Sequence, residues 1–179
     1  VDSQFSRTGT VRTNTANLAI GRHSGEDEIL SGHEIFFHGS IDDVRIHNRA
    51  LSQAEITTLY TLDSGYKPQP ETGCDKVPLG QVACYSFDGN ANDESGNENH
   101  GTENGGITYV AGKIGQAAQF DGVDDYIEIN PQTVSQLADF TLSSWVFVPE
   151  ASSKVGRGYI FSGHSHSNTV PTTDLYREG

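Results

Sequence analysis

The chain has 179 residues, of which 34% are apolar, and a formal net charge of −13. That charge argues against nucleic acid, which needs a basic surface, and no stretch approaches the roughly 18 to 20 apolar residues of a membrane-spanning helix. Twenty glycines, with abundant Asn, Asp, Ser and Thr, supply the turns of a protein built from short strands.

Residues 1–38 hold strand-like pieces between turn formers, one at 17–21 and one at 34–38, with Gly25–Glu28 as an exposed loop between them. Ser40–His47 alternates with a period of two. This predicts Asp42, Val44 and Ile46 on one face and Ile41, Asp43, Arg45 and His47 on the other. A carboxylate on the buried face needs hydrogen-bond donors or a cation. Ser52-Gln53-Ala54-Glu55 is a capping box, and Ile56, Leu59 and Tyr60 follow at helical spacing, so one short helix docks an apolar stripe. Residues 63–80 shift to Gly, Pro and charge, and Pro68, Pro70 and Pro78 favour an extended linker.

Beyond the linker, Val82–Phe87 reads as a strand and 88–106 as a long polar loop. Gln116–Phe120 and Tyr126–Ile129 flank Asp121-Gly122, a hairpin-like turn. Phe140–Phe147 alternates, with Phe140, Leu142 and Ser144 on one face and Trp145 and Phe147 on the other. A lone tryptophan in a central strand is expected in the core before it is expected to stack on sugars. Short strands, regular turns and almost no helix describe an all-β sandwich.

Four motifs carry a resemblance. They are Asp93-Glu94-Ser95-Gly96-Asn97-Glu98-Asn99-His100-Gly101-Thr102, Ala118-Gln119-Phe120-Asp121-Gly122-Val123-Asp124-Asp125-Tyr126-Ile127, Phe140-Thr141-Leu142-Ser143-Ser144-Trp145-Val146, and Gly39-Ser40-Ile41-Asp42-Asp43-Val44-Arg45-Ile46 with its capped helix. Together they resemble the laminin-G-like jelly-roll branch of the concanavalin A-like lectin/glucanase superfamily. The resemblance implies an antiparallel jelly-roll β-sandwich with one short helix after the closing strand. The closing motif stands before the opening ones, which implies a piece of a tandem array. Residues 1–62 then read as the C-terminal part of a first domain, 63–80 as the linker and 81–179 as the N-terminal part of a second. The start at Val1, in a chain without methionine, fits a fragment. In this family the first and last strands commonly pair, so a permuted assembly is expected, with Ser40–His47 beside Val82–Phe87 and Asp42 near the Asp93–Asn97 loop.

The chemistry is sparse. Asp88-Gly89-Asn90-Ala91-Asn92-Asp93 begins like an EF-hand loop but has Asp93 where the sharp turn needs Gly and Asn99 where a bidentate Glu belongs. Resemblance implies a different, structural Ca²⁺, held by the last-strand Asp42 and by the early-loop Asp93 and Asn97, with Asp88 and Asp121 as further candidates. The paired carboxylates of related glucanases, Glu-x-Asp-x-Glu on one strand, are missing from this sequence, which predicts a non-catalytic chain. His164 and His166 supply two ligands, too few for a transition-metal site, and read as a polar loop. Cys74 and Cys84 are the only cysteines, a disulfide if the protein is exported and free thiols if it is not.

The expected function is a non-catalytic extracellular or cell-surface module for adhesion or carbohydrate binding, with a glycan or an extracellular protein as partner and no membrane insertion. Two alternatives stand beside it: an accessory domain of a polysaccharide-degrading enzyme, and a structural spacer repeat. No ligand-binding residue is assigned from sequence.

Overall fold

The computed structural model describes residues 3–10, 18–23, 36–64, 74, 80–130, 132–135, 137–149, 158–163 and 175–177. The expected loop Gly25–Glu28, the His164–His166 pair and most of the linker lie outside the described residues. In chain order the elements are β1 (Ser3–Thr10), β2 (Leu18–Ile20), β3 (His38–His47), helix α1 (Gln53–Ser64), β4 (Gln81–Tyr85), β5 (Thr102–Asn104), β6 (Thr108–Ala111), β7 (Gln116–Asp121), β8 (Tyr126–Ile129), the single-turn α2 (Gln132–Ser135), β9 (Asp139–Phe147), β10 (Gly158–Gly163) and β11 (Leu175–Arg177). One sheet runs β1-β9-β3-β7-β6, with β4 also paired to β3. The other runs β11-β10-β2-β8-β5. All the strand pairs are antiparallel.

The two sheets close on a common core. Ile41, Val44, Ile46, Phe120, Phe140, Leu142 and Val146 come from the first, and Leu18, Ile20, Ile127, Ile129, Ile160 and Phe161 from the second. Fully burying such side chains is worth roughly 1.5 to 3 kcal/mol each. The fold is therefore a two-sheet β-sandwich whose core draws on both sides of the linker.

β3 is the pivot of the first sheet. It pairs with β9 along its length. On its other edge it pairs with β7 from His38 to Ile41 and with β4 from Val44 to His47, where Val44 faces Tyr85 and Arg45 faces Cys84. The closing strand and the opening strand are thus direct neighbours, as the permuted order predicts. β4 itself ends at Tyr85, and Phe87 already has φ +56°.

At the exchange of partners the alternation of β3 breaks. Asp43 has φ +52°, and three residues of β3 (Asp42 to Arg45 in steps) advance against two of β9 (Trp145 to Ser143). This is a β-bulge, and Asp is one of the few residues besides Gly that takes a left-handed conformation readily. The predicted faces are corrected accordingly: Ile41, Val44 and Ile46 enter the core, and Asp42 turns away from them to the outward side, with Arg45 and His47. Gly39, at φ +149°, has no room for a side chain, because a Cβ there would lie 2.3 Å from the Phe147 carbonyl oxygen.

α1 covers part of that outward face. The capping box forms as read: the Ser52 amide donates to Glu55 Oε2 at 2.9 Å and the Glu55 amide to Ser52 Oγ at 3.4 Å. Thr141 Oγ1 of β9 accepts from the Leu51 amide and donates to the Arg49 carbonyl, which fastens the start of the helix to the sheet. The apolar stripe is narrower than expected, since Leu59 is buried, Ile56 is half-buried and Tyr60 stays 49% exposed. α1 also runs to Ser64, two residues into the predicted linker.

Cys74 and Cys84 are joined, with Cα atoms 5.8 Å apart, so a segment of ten positions is tied to the middle of β4. Reduction is expected to lower stability by roughly 2 to 3 kcal/mol. Urea unfolding with and without a phosphine reductant, with intact mass confirming the redox state, checks this. Coincident curves for fully reduced and fully oxidised protein would refute it.

Candidate functional site

The five predicted cation ligands fall into three separate networks. Asp42 is 3% exposed, and its Oδ2 accepts from the amides of Lys113 (2.6 Å) and Ile114 (2.9 Å) in the β6–β7 turn. Gly112 makes this approach possible, because a Cβ there would lie 2.6 Å from the same oxygen. Oδ1 is buried and meets no donor. Burial raises the Asp42 carboxyl from its ordinary 3.8 to about 7; the charges of Asp43 and Asp88 push the same way, and the two amides oppose. Asp88, close enough to be felt by Asp42, accepts from the Gln116 amide at 2.6 Å.

Asp93 and Asn97 serve a different purpose. Asp93 Oδ1 accepts from the amides of Cys84 and Ser95, both at 2.9 Å, and Oδ2 from the Asn99 amide and the Ser95 hydroxyl, also at 2.9 Å. Four donors fill the acceptor positions of a carboxylate. The Asn97 amide group donates to the Gln81 carbonyl and to Ser95 Oγ. Asp42 and Asp93 share no partner in these bonds. The loop expected to hold calcium is thus held together by its own Asx and Ser contacts.

Carboxylates converge elsewhere, in the β7–β8 turn. Oxygens of Asp121, Asp124 and Asp125 lie within 4.8 Å of one another. Asp121 Oδ1 accepts from the Val123 amide at 2.7 Å, and the buried Asp125 accepts from the amides of Gly106 and Asp121. Asp124 and Asp125 belong to the Asp-Gly-Val-Asp-Asp motif and are not among the five ligands expected from sequence. A second grouping, Asp43 with Cys74 and Cys84, is no metal site, because its sulfurs are bonded to each other.

The outward face of the first sheet carries a pocket of about 180 Å³, lined by Ser40 and Asp42 of β3, Ala111 at the end of β6, Gly112 and Lys113 of the β6–β7 turn, Ala117 of β7, and Trp145 to Phe147 of β9. Its floor is two cross-strand pairs, Asp42 opposite Trp145 and Ser40 opposite Phe147. Residues directly opposite in an antiparallel pair share a face, so each aromatic ring stands beside a polar side chain. Trp145 is buried, yet not in the core between the sheets. The Tyr60 ring of α1 lies 5.7 Å from it and the Lys113 ammonium 5.0 Å from its centroid. Phe147 is 49% exposed at the rim. Neither Tyr60 nor Lys113 was legible as a neighbour of Trp145, since both contacts span many residues.

One part of the chain matches a known family. Residues 1–57 match the Concanavalin A-like lectin/glucanases superfamily. The match to that superfamily covers β1 to β3 and the first turn of α1, the block read from sequence as a domain's closing part. Searches of curated proteins and of solved structures found no match.

Proposed function

We propose that this chain is a non-catalytic, extracellular carbohydrate-binding module. The observation that carries this reading is a two-sheet sandwich whose residues 1–57 match a lectin/glucanases superfamily. A sandwich of this kind recognises ligands with surface side chains on a rigid frame, and function is then a property of the site and not of the fold. The test is a glycan array probed with the intact chain, together with a reducing-sugar assay on β-glucans. Binding without release of reducing ends is expected. Sugar release overturns the non-catalytic reading, and a blank array overturns the carbohydrate reading in favour of a protein partner or a spacer role.

We extend the proposal to a structural calcium, which the convergence of Asp121, Asp124 and Asp125 supports at the β7–β8 turn. The donor set is hard and anionic, as Ca²⁺ requires. Asp93, with its acceptor positions filled, does not fit. Millimolar Ca²⁺ is expected to stabilise the protein by about 2.7 kcal/mol at a hundredfold excess over the dissociation constant, and the exposed Asp124→Asn to remove that gain. Identical melting curves in calcium and in chelator would dismiss the site.

A further inference from the structure

We propose that the outward pocket of the first sheet is the carbohydrate site, and that it takes one uncharged pyranose unit with its apolar ring face on Phe147 and its hydroxyls toward Ser40, Asp42 and Lys113. The inference rests on the carbohydrate-binding reading and names the place and class of ligand, which that reading leaves open.

Size is the first argument. Sites for drug-sized ligands run from roughly 300 to 1,000 Å³. A pocket of about 180 Å³ lies below that range and is of a size to seat one sugar ring.

Composition is the second argument. A pyranose has one face of C–H groups and a rim of hydroxyls, so its site needs an aromatic surface flanked by hydrogen-bonding groups. The pairs Ser40–Phe147 and Asp42–Trp145 alternate those two kinds of group across adjacent strands. Phe147 is half exposed on a strand whose inward residues are buried, and Ser40, its direct neighbour, is polar. Trp145, braced by Tyr60, closes the floor and fixes the shape.

Charge is the third. The Lys113 ammonium already stands over the Trp145 ring, the position a cationic ligand would take in an aromatic cage. The chain's net charge of −13 disfavours an anionic sugar. With the cation position over Trp145 taken and the chain acidic, a neutral ligand is the best match.

The chain's single tryptophan lies in this pocket, so intrinsic fluorescence reports on it directly. The experiment titrates the intact chain with methyl glycosides of glucose, galactose and mannose, and with choline and glucuronate, following Trp145 emission. Alongside, the glycan array is repeated with Phe147→Ala and Ser40→Ala, both checked for folding by circular dichroism. A saturable change with at least one neutral glycoside is expected, weakened tenfold or more in Phe147→Ala. A response to choline or glucuronate that exceeds every neutral glycoside overturns the assigned ligand class. Array binding kept in full by Phe147→Ala, with emission unmoved by any glycoside, overturns the pocket but leaves the carbohydrate reading standing. A blank array with the parent chain fells that reading itself.

Discussion

Between pH 4 and pH 7, His47→Leu and Asp42→Asn are expected to change the pH dependence of stability in opposite directions. Both residues sit on the outward side of β3 and both are almost wholly buried, with Asp42 Oδ1 and both His47 ring nitrogens lacking partners. Burial lowers the His47 imidazole from 6.5 to about 4; the charges of Arg45 and Arg49 add to this, and Glu55 opposes it. The folded state therefore resists protonating His47. Its contribution is fully present above pH 6.5 and is lost as pH falls toward 4, at roughly 1.4 kcal/mol per pH unit, or about 3 kcal/mol in all. Asp42 behaves in the reverse sense. Its raised carboxyl, at about 7, makes the folded state resist ionisation, so stability is greatest below pH 3.8 and falls as pH rises through 7. That difference amounts to roughly 4 kcal/mol. The two effects oppose each other across one window. Removing His47 leaves a chain that loses stability as pH rises, and removing Asp42 leaves one that gains it. Urea midpoints measured from pH 4 to 7.5, at constant m-value, give the slopes. Parent-like slopes in both variants would show that neither burial governs the titration.

Local chemistry was readable in this sequence wherever a few neighbouring residues decide the outcome. The Ser52–Glu55 cap formed because its four residues contain both of its hydrogen bonds. The strands Ser40–His47 and Phe140–Phe147 were readable from their periodicity, and the place of Val82–Phe87 beside the first of them from the order of closing and opening motifs. The faces of β3 were not, because a bulge at Asp43 shifts every residue after it and nothing local marks an Asp that adopts positive φ. Trp145 shows a subtler limit. Its alternation correctly set it opposite Phe140 and Leu142, but which side met the second sheet depended on strands far away in sequence. The hydrogen bonding of the acidic loop was out of reach for the same reason. Asp93 carries the oxygens a cation wants, and only the fold shows that Cys84, Ser95 and Asn99 supply donors for all of them.

Asp93→Ala is expected to destabilise the protein by about 4 kcal/mol or more, irrespective of calcium. The carboxylate is 7% exposed and binds three backbone amides and one hydroxyl. A buried amide left without an acceptor costs roughly 1 to 3 kcal/mol; the Cys84 amide is buried, and those of Ser95 and Asn99, partly buried, lose their acceptor with it. The loss also spreads beyond the loop. The Cys84 amide lies on the edge of β4 away from β3, and Asp93 is what holds the 88–100 segment against that edge, aided by the Glu94 amide bonding to the Cys84 carbonyl at 2.8 Å. Tyr85, whose hydroxyl donates to the Asn99 carbonyl at 2.6 Å, and Phe87 would lose the cover of that segment. Against a total stability of some 5 to 15 kcal/mol, such a loss brings the chain close to unfolding. Asp93→Asn is the sharper control. Its amide keeps one acceptor oxygen but turns the other acceptor into a donor facing the Asn99 amide, so it should recover part of the loss and no more. Urea unfolding of the three proteins, in calcium and in chelator, separates the roles. A loss that appears only in calcium would restore Asp93 as a metal ligand. A loss below about 1 kcal/mol in both conditions, the worth of a single ordinary hydrogen bond, would mean that the loop does not depend on this carboxylate.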